Sequence, residues 1–360
     1  MAKLDNLKKI KEIGKGGVIE SIEGLPHQLR QVLEEAHLIK IPHNYKNIDK
    51  VVVNGMGASN LGAGIFKAVF SDQVKVPINI VPGYEVPAYV DKNTLYILSS
   101  YSGGTEEPLM AYKEAKRRGA KLAGITANLH DKLEKLMIKE NIPGYIFKPE
   151  NNHSNIPRLG LGYAIFGTAT ILAKAGLAEI RPRDIEKIIS TLEIWDRELR
   201  PASKTENNPA KRLAEKLHGK LTVCVGAEFL TGNLRVLRNQ FCENAKNFAA
   251  YLTLPELNHY AMEGLAHPKS NKKDLAFFFI DSDFYSKRVR LRSGLTKEVV
   301  KKNGLRIVDY RLKGRSKLEQ AFELLQLGTW LTFYLAVLND NNSGGNPWVD
   351  WFKKELASQK

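Results

Sequence analysis

The chain has 360 residues, of which 43% are hydrophobic, and this length and composition allow two domains with sizeable cores. Lysine and arginine number 54 against 39 aspartates and glutamates, so the formal net charge is +15. Because the basic residues are scattered among acidic ones and are not interleaved with aromatics, we expect a basic soluble surface and no nucleic-acid partner.

The N-terminal stretch Met1–Gly14 is charged and lacks the apolar region of a signal peptide. The uncharged stretch Leu159–Ala173 is too short to span a membrane and fits a buried helix. Cys224 and Cys242 lie in apolar surroundings without metal-ligand spacing, so they are predicted to be small core residues. We therefore expect a cytoplasmic protein with no membrane contact and no metal.

Helices are predicted at about Leu4–Ile13 and Ser21–Ala36, and we assign residues 1–40 to an N-terminal helical segment that packs on the domains. From Lys50 onwards, short apolar strands alternate with helices, which is typical of βαβ units in a parallel sheet. The strands of this half are predicted at Lys50–Asn54, Ile78–Val81, Thr94–Ser99 and Lys121–Thr126. The first helix of this half is predicted to end near Phe70. Three more helices are predicted over Glu106–Arg118, Leu159–Ala175 and Pro182–Leu199.

The polar stretch Pro201–Pro209 is the predicted linker to a second half that repeats this outline. The elements of the second half are strands at Leu221–Val225, Leu275–Ile280 and Leu305–Asp309, and helices from about Leu230, over Gln320–Leu338 and over Pro347–Leu356. The sequence therefore predicts an α/β fold with two parallel-sheet αβα sandwich domains, residues 41–200 and 210–340, followed by a tail with a short helix, residues 341–360.

The strongest local signal is the loop Ser99–Glu107, which follows a predicted buried strand and opens a helix. Ser100, Ser102 and Thr105 supply hydroxyl groups, while Gly103 and the glycine after it make backbone N–H groups accessible. Because a helix N-terminus presents free N–H groups and the positive end of the helix dipole, the loop is suited to bind phosphate. The alternative is a serine-rich helix cap without a ligand.

A second strand-to-helix turn, Gly55–Ser59, lies in the same half and contains Gly57. In a parallel sheet both turns lie at the carboxyl ends of strands, where ligands bind. Neither turn has G-x-G-x-x-G spacing and the chain contains no Gly-Lys-Ser/Thr, so the common nucleotide fingerprints do not fit. The predicted ligand is a monophosphate rather than a nucleotide.

The corresponding segment of the second half, Ile280–Lys287, carries two acidic residues that repel phosphate, which predicts one anion pocket per chain. Three further polar side chains are embedded in apolar sequence, namely Glu243 on a predicted helix, His259 after a short strand and Arg158 at the entrance to a helix. Taken singly, each is better explained as an ordinary exposed helix residue, loop histidine or loop charge.

Together, five segments resemble those of bifunctional phosphoglucose/phosphomannose isomerases, which belong to the phosphoglucose isomerase superfamily and carry two sugar-isomerase (SIS) domains. In chain order the segments are Gly55–Ser59, Ser100–Glu107, Pro157–Arg158, Glu243–Lys246 and Pro255–His259. The Ser/Thr loop marks SIS domains generally, whereas the pairing of the last two segments is specific to the isomerases. The resemblance implies interconversion of glucose 6-phosphate, mannose 6-phosphate or both with fructose 6-phosphate, without a cofactor.

The resemblance also implies roles for single residues. The phosphate of a hexose 6-phosphate would bind to four hydroxyl side chains, those of Ser59, Ser100, Ser102 and Thr105. Gly57 and Gly103 would form the substrate loops around it. These hydroxyls would anchor the substrate away from its reacting carbons.

The catalytic groups implied by the resemblance come from several parts of the chain. Glu243 would move a proton between C1 and C2 through a cis-enediol, and Arg158 would stabilise the enediolate. His259 would assist ring opening from the neighbouring subunit of a homodimer. A lysine of the C-terminal tail would assist it, Lys353 or, in the alternative register, Lys354.

The chain departs from the family's pattern at four positions. Ala58 replaces a usual glycine, and Gly104 and Tyr260 stand where asparagine is common. Asn346 falls near a position where the bifunctional enzymes tend to have threonine and glucose-specific relatives glutamine, which bears on the choice of epimer. The alternatives are a non-catalytic sugar-phosphate-binding protein with two SIS domains and an isomerase or lyase of amino-sugar phosphates.

Overall fold

The computed structural model describes residues 3–359 and contains two separate β-sheets with helices on their faces. Within these residues the strands are β1 (Lys50–Asn54), β2 (Ile78–Val81), β3 (Thr94–Ser99), β4 (Lys121–Ala127), β5 (Gly144–Phe147), β6 (Leu221–Ala227), β7 (Ala249–Leu254), β8 (Leu275–Asp281) and β9 (Arg306–Arg311). The α-helices are α1 (Leu7–Ile13), α2 (Val18–Glu23), α3 (Leu25–Glu35), α4 (Ala58–Val69), α5 (Glu106–Arg117), α6 (Lys132–Lys139), α7 (Leu161–Lys174), α8 (Pro182–Leu199), α9 (Pro209–Leu217), α10 (Thr231–Glu243), α11 (Asn271–Asp274), α12 (Lys287–Lys302), α13 (Lys317–Leu338) and α14 (Pro347–Ser358).

Both sheets are parallel throughout and share one strand order. The first sheet runs β2-β1-β3-β4-β5 and the second β7-β6-β8-β9, so each begins as 2-1-3-4 when its strands are numbered along the chain. In this order the chain leaves β1 towards one edge and returns to its other side, which opens a crevice between the turns after β1 and β3. The predicted α/β fold with two parallel-sheet sandwich domains is confirmed.

Helices cover both faces of the first sheet. On one face α5 and α6 bury an apolar cluster that includes Val52, Tyr96, Leu98, Leu133 and Met137. On the other face α4 and α7 pack against each other, and α4 also packs against α10 of the second half. Helix α13 packs against α8, α9 and α10, so the apolar cores of the two halves form one continuous cluster. The N-terminal segment lies on the same layer, with α3 against α7 and α8 and α1 against α13.

The contact between α4 and α10 is close enough to exclude any side chain at its crossing point. A Cβ atom placed on Gly232 would lie 2.3 Å from the carbonyl oxygen of Gly64 and 2.7 Å from Cα of Ile65. Because Ser59 lies in the first turn of α4 and Glu243 at the end of α10, this crossing sets the distance between the two halves of the candidate site.

Several local predictions differ from the structure. The single helix expected over Ser21–Ala36 is wrong, because the chain divides at Gly24, where a Cβ would lie 2.2 Å from the carbonyl oxygen of Asn151. The sequence pattern does not predict helices α6, α9, α11 and α12 or strand β5. Helix α12 has no strong apolar stripe, since its buried residues are Val289, Ser293, Thr296 and Val300.

The long helix α13 is buried, and the two cysteines differ in exposure. Helix α13 is long and apolar enough to cross a membrane by length and composition, but its apolar window is wholly buried against the rest of the chain, as in the core helix of a water-soluble fold. Cys224 is buried and Cys242 half-buried, and both are free thiols.

Substitution of Gly232 by alanine tests the close crossing of α4 and α10. We expect Gly232→Ala to lower the free energy of unfolding by about 1–3 kcal/mol, because the two helices have to separate to admit the methyl group. Urea denaturation followed by circular dichroism measures this. The matched control is Gly294→Ala in α12, where a Cβ would have no atom within 4 Å and should add up to about 1 kcal/mol of stability. Equal stability of the two variants would contradict the close packing.

Candidate active site

Two glycine turns abut at the carboxyl edge of the first sheet. Gly57, between β1 and α4, has a φ of 49°, and Gly103, between β3 and α5, has a φ of 74°, a region that side chains other than glycine rarely adopt. A Cβ on Gly55 would lie 2.5 Å from the carbonyl oxygen of Ser99, so the turn after β1 lies directly against the end of β3. The two predicted ligand loops therefore meet.

Hydroxyl groups from both turns lie together there, in what we call the hydroxyl cradle (Ser59, Ser100, Thr105). The Oγ of Ser59 accepts a hydrogen bond from the backbone N–H of Tyr101 at 2.9 Å. The hydroxyls of Ser100 and Thr105 are 2.7 Å apart and share a hydrogen bond. Ser59 and Ser100 are buried, whereas Ser102 is exposed at the rim. Since Thr105 precedes α5, the positive end of that helix dipole faces the cradle.

At the equivalent position in the second sheet, an exposed carboxylate of the chain itself lies against a helix N-terminus. Glu228, which follows β6, accepts hydrogen bonds from the backbone N–H of Ser286 at 3.2 and 3.3 Å. Ser286 is the N-cap of α12, so the anion at this helix N-terminus belongs to the protein itself. Ser282 donates instead to the side chain of Gln320 at 2.6 Å. The sequence predicts one anion pocket per chain because Asp281 and Asp283 would repel phosphate in the second half. In the structure, the carboxylate that contacts the N-terminus of α12 is that of Glu228.

Arg158 joins the two halves of the molecule. It lies in the short 3-10 turn Pro157–Leu159, which packs on α4, and its side chain is only 3% exposed. Its Nε donates to Oδ1 of Asn244 at 2.6 Å, and its Nη2 donates to the backbone carbonyls of Ser343 and Gly344 at 2.6 and 3.0 Å. Burial lowers the pKa of the guanidinium and the Glu243 carboxylate opposes that shift, so Arg158 remains a fixed cation.

Tyr101 connects the hydroxyl cradle to the segment that carries Arg158. Its backbone bonds Ser59, and its phenolic hydroxyl accepts a hydrogen bond from Nδ2 of Asn152 at 2.7 Å. A Cβ on Gly160 would lie 2.5 Å from the Tyr101 ring, so the chain after Arg158 lies directly on this ring. The cradle and the arginine are thus held by one network.

Glu243 is the last residue of α10 and is half-buried beside Arg158. Its Oε2 lies 3.6 Å from Nη1 of Arg158 and accepts a hydrogen bond from Nδ2 of Asn346 at 3.2 Å. Asn244, the next residue, is buried and donates to the hydroxyl of Thr332 at 3.0 Å. The structure therefore places a carboxylate, a buried cation and the loop Ser343–Asn346 (the C-terminal loop) together at the domain junction.

Lys246 was not predicted as a functional residue, although it ends the segment Glu243–Lys246. Its Nζ donates to the backbone carbonyls of Glu243 and Gly345 and to Oδ1 of Asn346. Burial, and to a lesser degree the charge of Arg158, lower the pKa of Lys246 to about 8. Its position three residues after Glu243 is the only local sign of a role for this lysine. The loop residues that accept its hydrogen bonds, Gly345 and Asn346, are about 100 positions away in sequence, so the sequence does not predict these contacts.

His259 and the C-terminal lysines lie outside this cluster in the single chain. His259 ends the 3-10 turn Glu256–His259 after β7, where its side chain is exposed and makes no hydrogen bond to the part of the chain described, residues 3–359. Helix α14 has no buried residue, so Lys353 and Lys354 are exposed too. Asp350 is close enough to Lys246 to influence its charge, and positions 350, 353 and 354 share one face of the helix.

Comparison with protein-family models matches both halves. A SIS domain model matches residues 45–141, and a model of the bacterial phospho-glucose isomerase C-terminal SIS domain matches residues 206–356. A bifunctional phosphoglucose/phosphomannose isomerase of Caldicellulosiruptor bescii is 33% identical and the alignment covers 95% of this chain and 100% of that protein. A protein of the same description from Thermoplasma volcanium is 28% identical, with 86% of this chain and 92% of that protein covered.

Solved structures share the fold at low sequence identity. A hypothetical protein from Thermus thermophilus superposes with a TM-score of 0.74 at 15% identity, over 98% of this chain and 94% of that one. A tagatose-6-phosphate ketose/aldose isomerase from Escherichia coli gives a TM-score of 0.66 at 14% identity, over 92% and 94% of the two chains. These likenesses support the pair of SIS domains seen in the two sheets.

Replacement of Arg158 by lysine tests the domain junction. Lysine cannot donate to Asn244 and to the C-terminal loop with a planar fork, so buried acceptors lose their donors. We expect Arg158→Lys to lower the free energy of unfolding by about 2–4 kcal/mol, measured by urea denaturation. Arg181→Lys is the matched control, because Arg181 is an exposed arginine paired with Glu179, and it should change stability by less than about 0.5 kcal/mol. Similar stabilities of the two variants would refute the junction role.

Proposed function

This chain belongs to the family of bifunctional phosphoglucose/phosphomannose isomerases and is an aldose–ketose isomerase, and from that premise we propose that it interconverts glucose 6-phosphate and mannose 6-phosphate with fructose 6-phosphate. One observation carries the proposal. The carboxylate of Glu243 lies 3.6 Å from the buried guanidinium of Arg158, and a tyrosine-centred network ties the segment of Arg158 to the hydroxyl cradle.

The proposed substrate phosphate lies in the hydroxyl cradle. Ser59, Ser100 and Thr105 supply donors, and Ser102 supplies one more from the rim. Gly57 and Gly103 keep side chains away from the backbone of the two turns, so the phosphate can approach their N–H groups. The phosphate then serves as an anchor remote from the reacting carbons, which fixes the orientation of C1 and C2.

In the proposed reaction Glu243 is the base. Its carboxylate takes the proton from C2 of the open-chain aldose, and the oxygen of C1 gains a proton, so that a cis-enediol forms. Glu243 then returns its proton to C1 while the oxygen of C2 loses its hydroxyl proton, which gives the ketose. Negative charge that develops on the oxygens of C1 and C2 meets the Arg158 guanidinium, which three protein oxygens already hold in place. This chemistry needs no metal, redox partner or cofactor.

Ring opening of the cyclic sugar needs a donor and an acceptor near the ring oxygen. We assign this to His259 of a second chain in a homodimer and to Lys353, with Lys354 as the alternative. The exposure of these parts of the chain supports the assignment. The His259 side chain is exposed and makes no hydrogen bond within the described residues, and helix α14 leaves Trp348, Trp351 and Phe352 uncovered, which is typical of an interface.

Replacement of Glu243 by glutamine tests the proposed base. The amide keeps the shape of the side chain and cannot accept the proton, so we expect kcat to fall about 100-fold to 10,000-fold while KM changes little. A coupled assay with glucose 6-phosphate and with mannose 6-phosphate measures both constants.

The control for this variant is Glu298→Gln, which removes an exposed carboxylate on α12 in the same domain and should keep full activity. A wild-type kcat in Glu243→Gln would show that Glu243 is not the base. Binding of glucose 6-phosphate by a wild-type protein without turnover would instead indicate a non-catalytic sugar-phosphate-binding protein.

Mixed dimers test whether His259 acts across an interface. Glu243→Gln and His259→Ala should each be inactive as pure proteins. In a heterodimer of the two, one site has both intact groups if the histidine comes from the other chain. We therefore expect an equimolar mixture, after unfolding and refolding together, to recover about a quarter of wild-type activity.

The same mixing with Glu298→Gln in place of Glu243→Gln controls for refolding. If His259 serves the site of its own chain, no site in the Glu243→Gln and His259→Ala heterodimer is intact, and the mixture stays inactive. Sedimentation velocity gives the oligomeric state of each sample and shows whether the chains exchanged.

A further inference from the structure

The C-terminal loop is fastened to the site by two cations from different domains. Arg158 binds its first part through the carbonyls of Ser343 and Gly344. Lys246 binds its last part through the carbonyl of Gly345 and the side chain of Asn346. The same ammonium group also bonds the backbone carbonyl of Glu243, so one side chain joins the end of α10 to the end of the loop.

Asn346 is the group that this contact positions. Its side-chain oxygen accepts from Lys246 at 3.3 Å, while its Nδ2 donates to Oε2 of Glu243 at 3.2 Å. The contact with lysine therefore decides which end of the amide faces the carboxylate. In the described residues, only these contacts bind the Asn346 side chain, so its orientation depends on Lys246.

The backbone at Lys246 shows that the contact is built in. Its φ is 53°, in the left-handed region that residues other than glycine, asparagine and aspartate rarely adopt. Such a conformation persists where the surroundings hold it. Here it turns the chain after Asn244 back so that the ammonium group reaches over Glu243 to the loop.

We propose that Lys246 is a positioning residue for the isomerisation, which holds the C-terminal loop so that Asn346 donates to the carboxylate of Glu243. The inference rests on the proposed role of Glu243 as the base. It adds that the carboxylate is oriented from two sides, by Arg158 and by Asn346, and that the second contact depends on a lysine that does not touch the substrate.

The charged groups that face Lys246 give the arrangement a pH dependence. Arg158 lowers its pKa, Glu243 and Asp350 raise it, and burial is the largest influence, with a result of about 8. Below that pH the ammonium group is charged and donates to all three acceptors. As the pH rises through about 8 the group loses a proton and one donor, so the hold on the loop weakens and kcat should fall.

A double-mutant cycle in the full-length protein tests the proposal. We expect Lys246→Met to lower kcat about 10-fold to 100-fold with KM within about threefold, because a misplaced catalytic group affects the reaction more than binding. Asn346→Ala should have a similar effect, and the double variant should be no worse than either single one, since both remove the same contact. Lys297→Met is the control, because Lys297 is a partly buried lysine on α12 that is paired with Asp281 and makes no hydrogen bond or ion pair to Glu243, Lys246 or Asn346 in the described residues, and it should keep the wild-type kcat.

A pH profile supplies a readout that a purely structural role does not change. The fall in kcat above about pH 8 should be absent in Lys246→Arg, since arginine keeps its proton. This variant also serves if Lys246→Met does not fold. A wild-type kcat in Lys246→Met, additive effects of the two substitutions, or an alkaline fall at the same pH in Lys246→Arg would overturn the proposal. Full activity of Glu243→Gln would instead reject the proposed base, so the two failures are distinguishable.

Discussion

The burial of the Arg158 guanidinium is the constraint on which the rest of the site depends. A buried cation is tolerated only when its donors are paired, and every partner of this one comes from outside its own domain. Asn244 and Glu243 come from the end of α10, and Ser343 and Gly344 come from the loop after α13. The site is therefore complete only when the first domain, the second domain and the C-terminal loop are docked together, and the glycine crossing of α4 and α10 makes that docking close.

The two halves share a strand order but contribute different groups to the candidate site. Both sheets open a crevice between equivalent strands. In the second, the exposed carboxylate of Glu228 accepts a hydrogen bond from the backbone N–H of Ser286 at the N-terminus of α12, where a bound anion would otherwise be favoured. The second domain contributes the end of α10 instead, where Glu243 and Lys246 lie. In the described residues, the hydroxyl cradle thus belongs to the first domain and the Glu243 carboxylate to the second.

Exposed side chains on two parts of the surface support the proposal of a second subunit. His259 and Tyr260 are exposed after β7, and the aromatic side chains of α14 lie uncovered although they are large and apolar. Exposure of Trp348 to 81% costs free energy in water, and a monomeric protein rarely carries several such groups together. These features support, on physical grounds, the proposal that the reaction centre is completed by a partner chain.

The sequence by itself determined the features that depend on neighbouring residues. Alternating strands and helices, the glycine turns and the hydroxyls of Ser100 and Thr105 follow from local pattern. The order of five short segments indicated the family, and that resemblance implies the proposed roles of Glu243 and Arg158. Local pattern failed for α12, whose buried face includes Ser293 and Thr296. Only the tertiary structure decided that Arg158 is buried against Ser343, that Glu228 bonds the N–H of Ser286 and that Lys246 holds Asn346. Each of these contacts joins residues 58 or more positions apart, and no periodicity in a sequence records which distant carbonyl a buried cation meets.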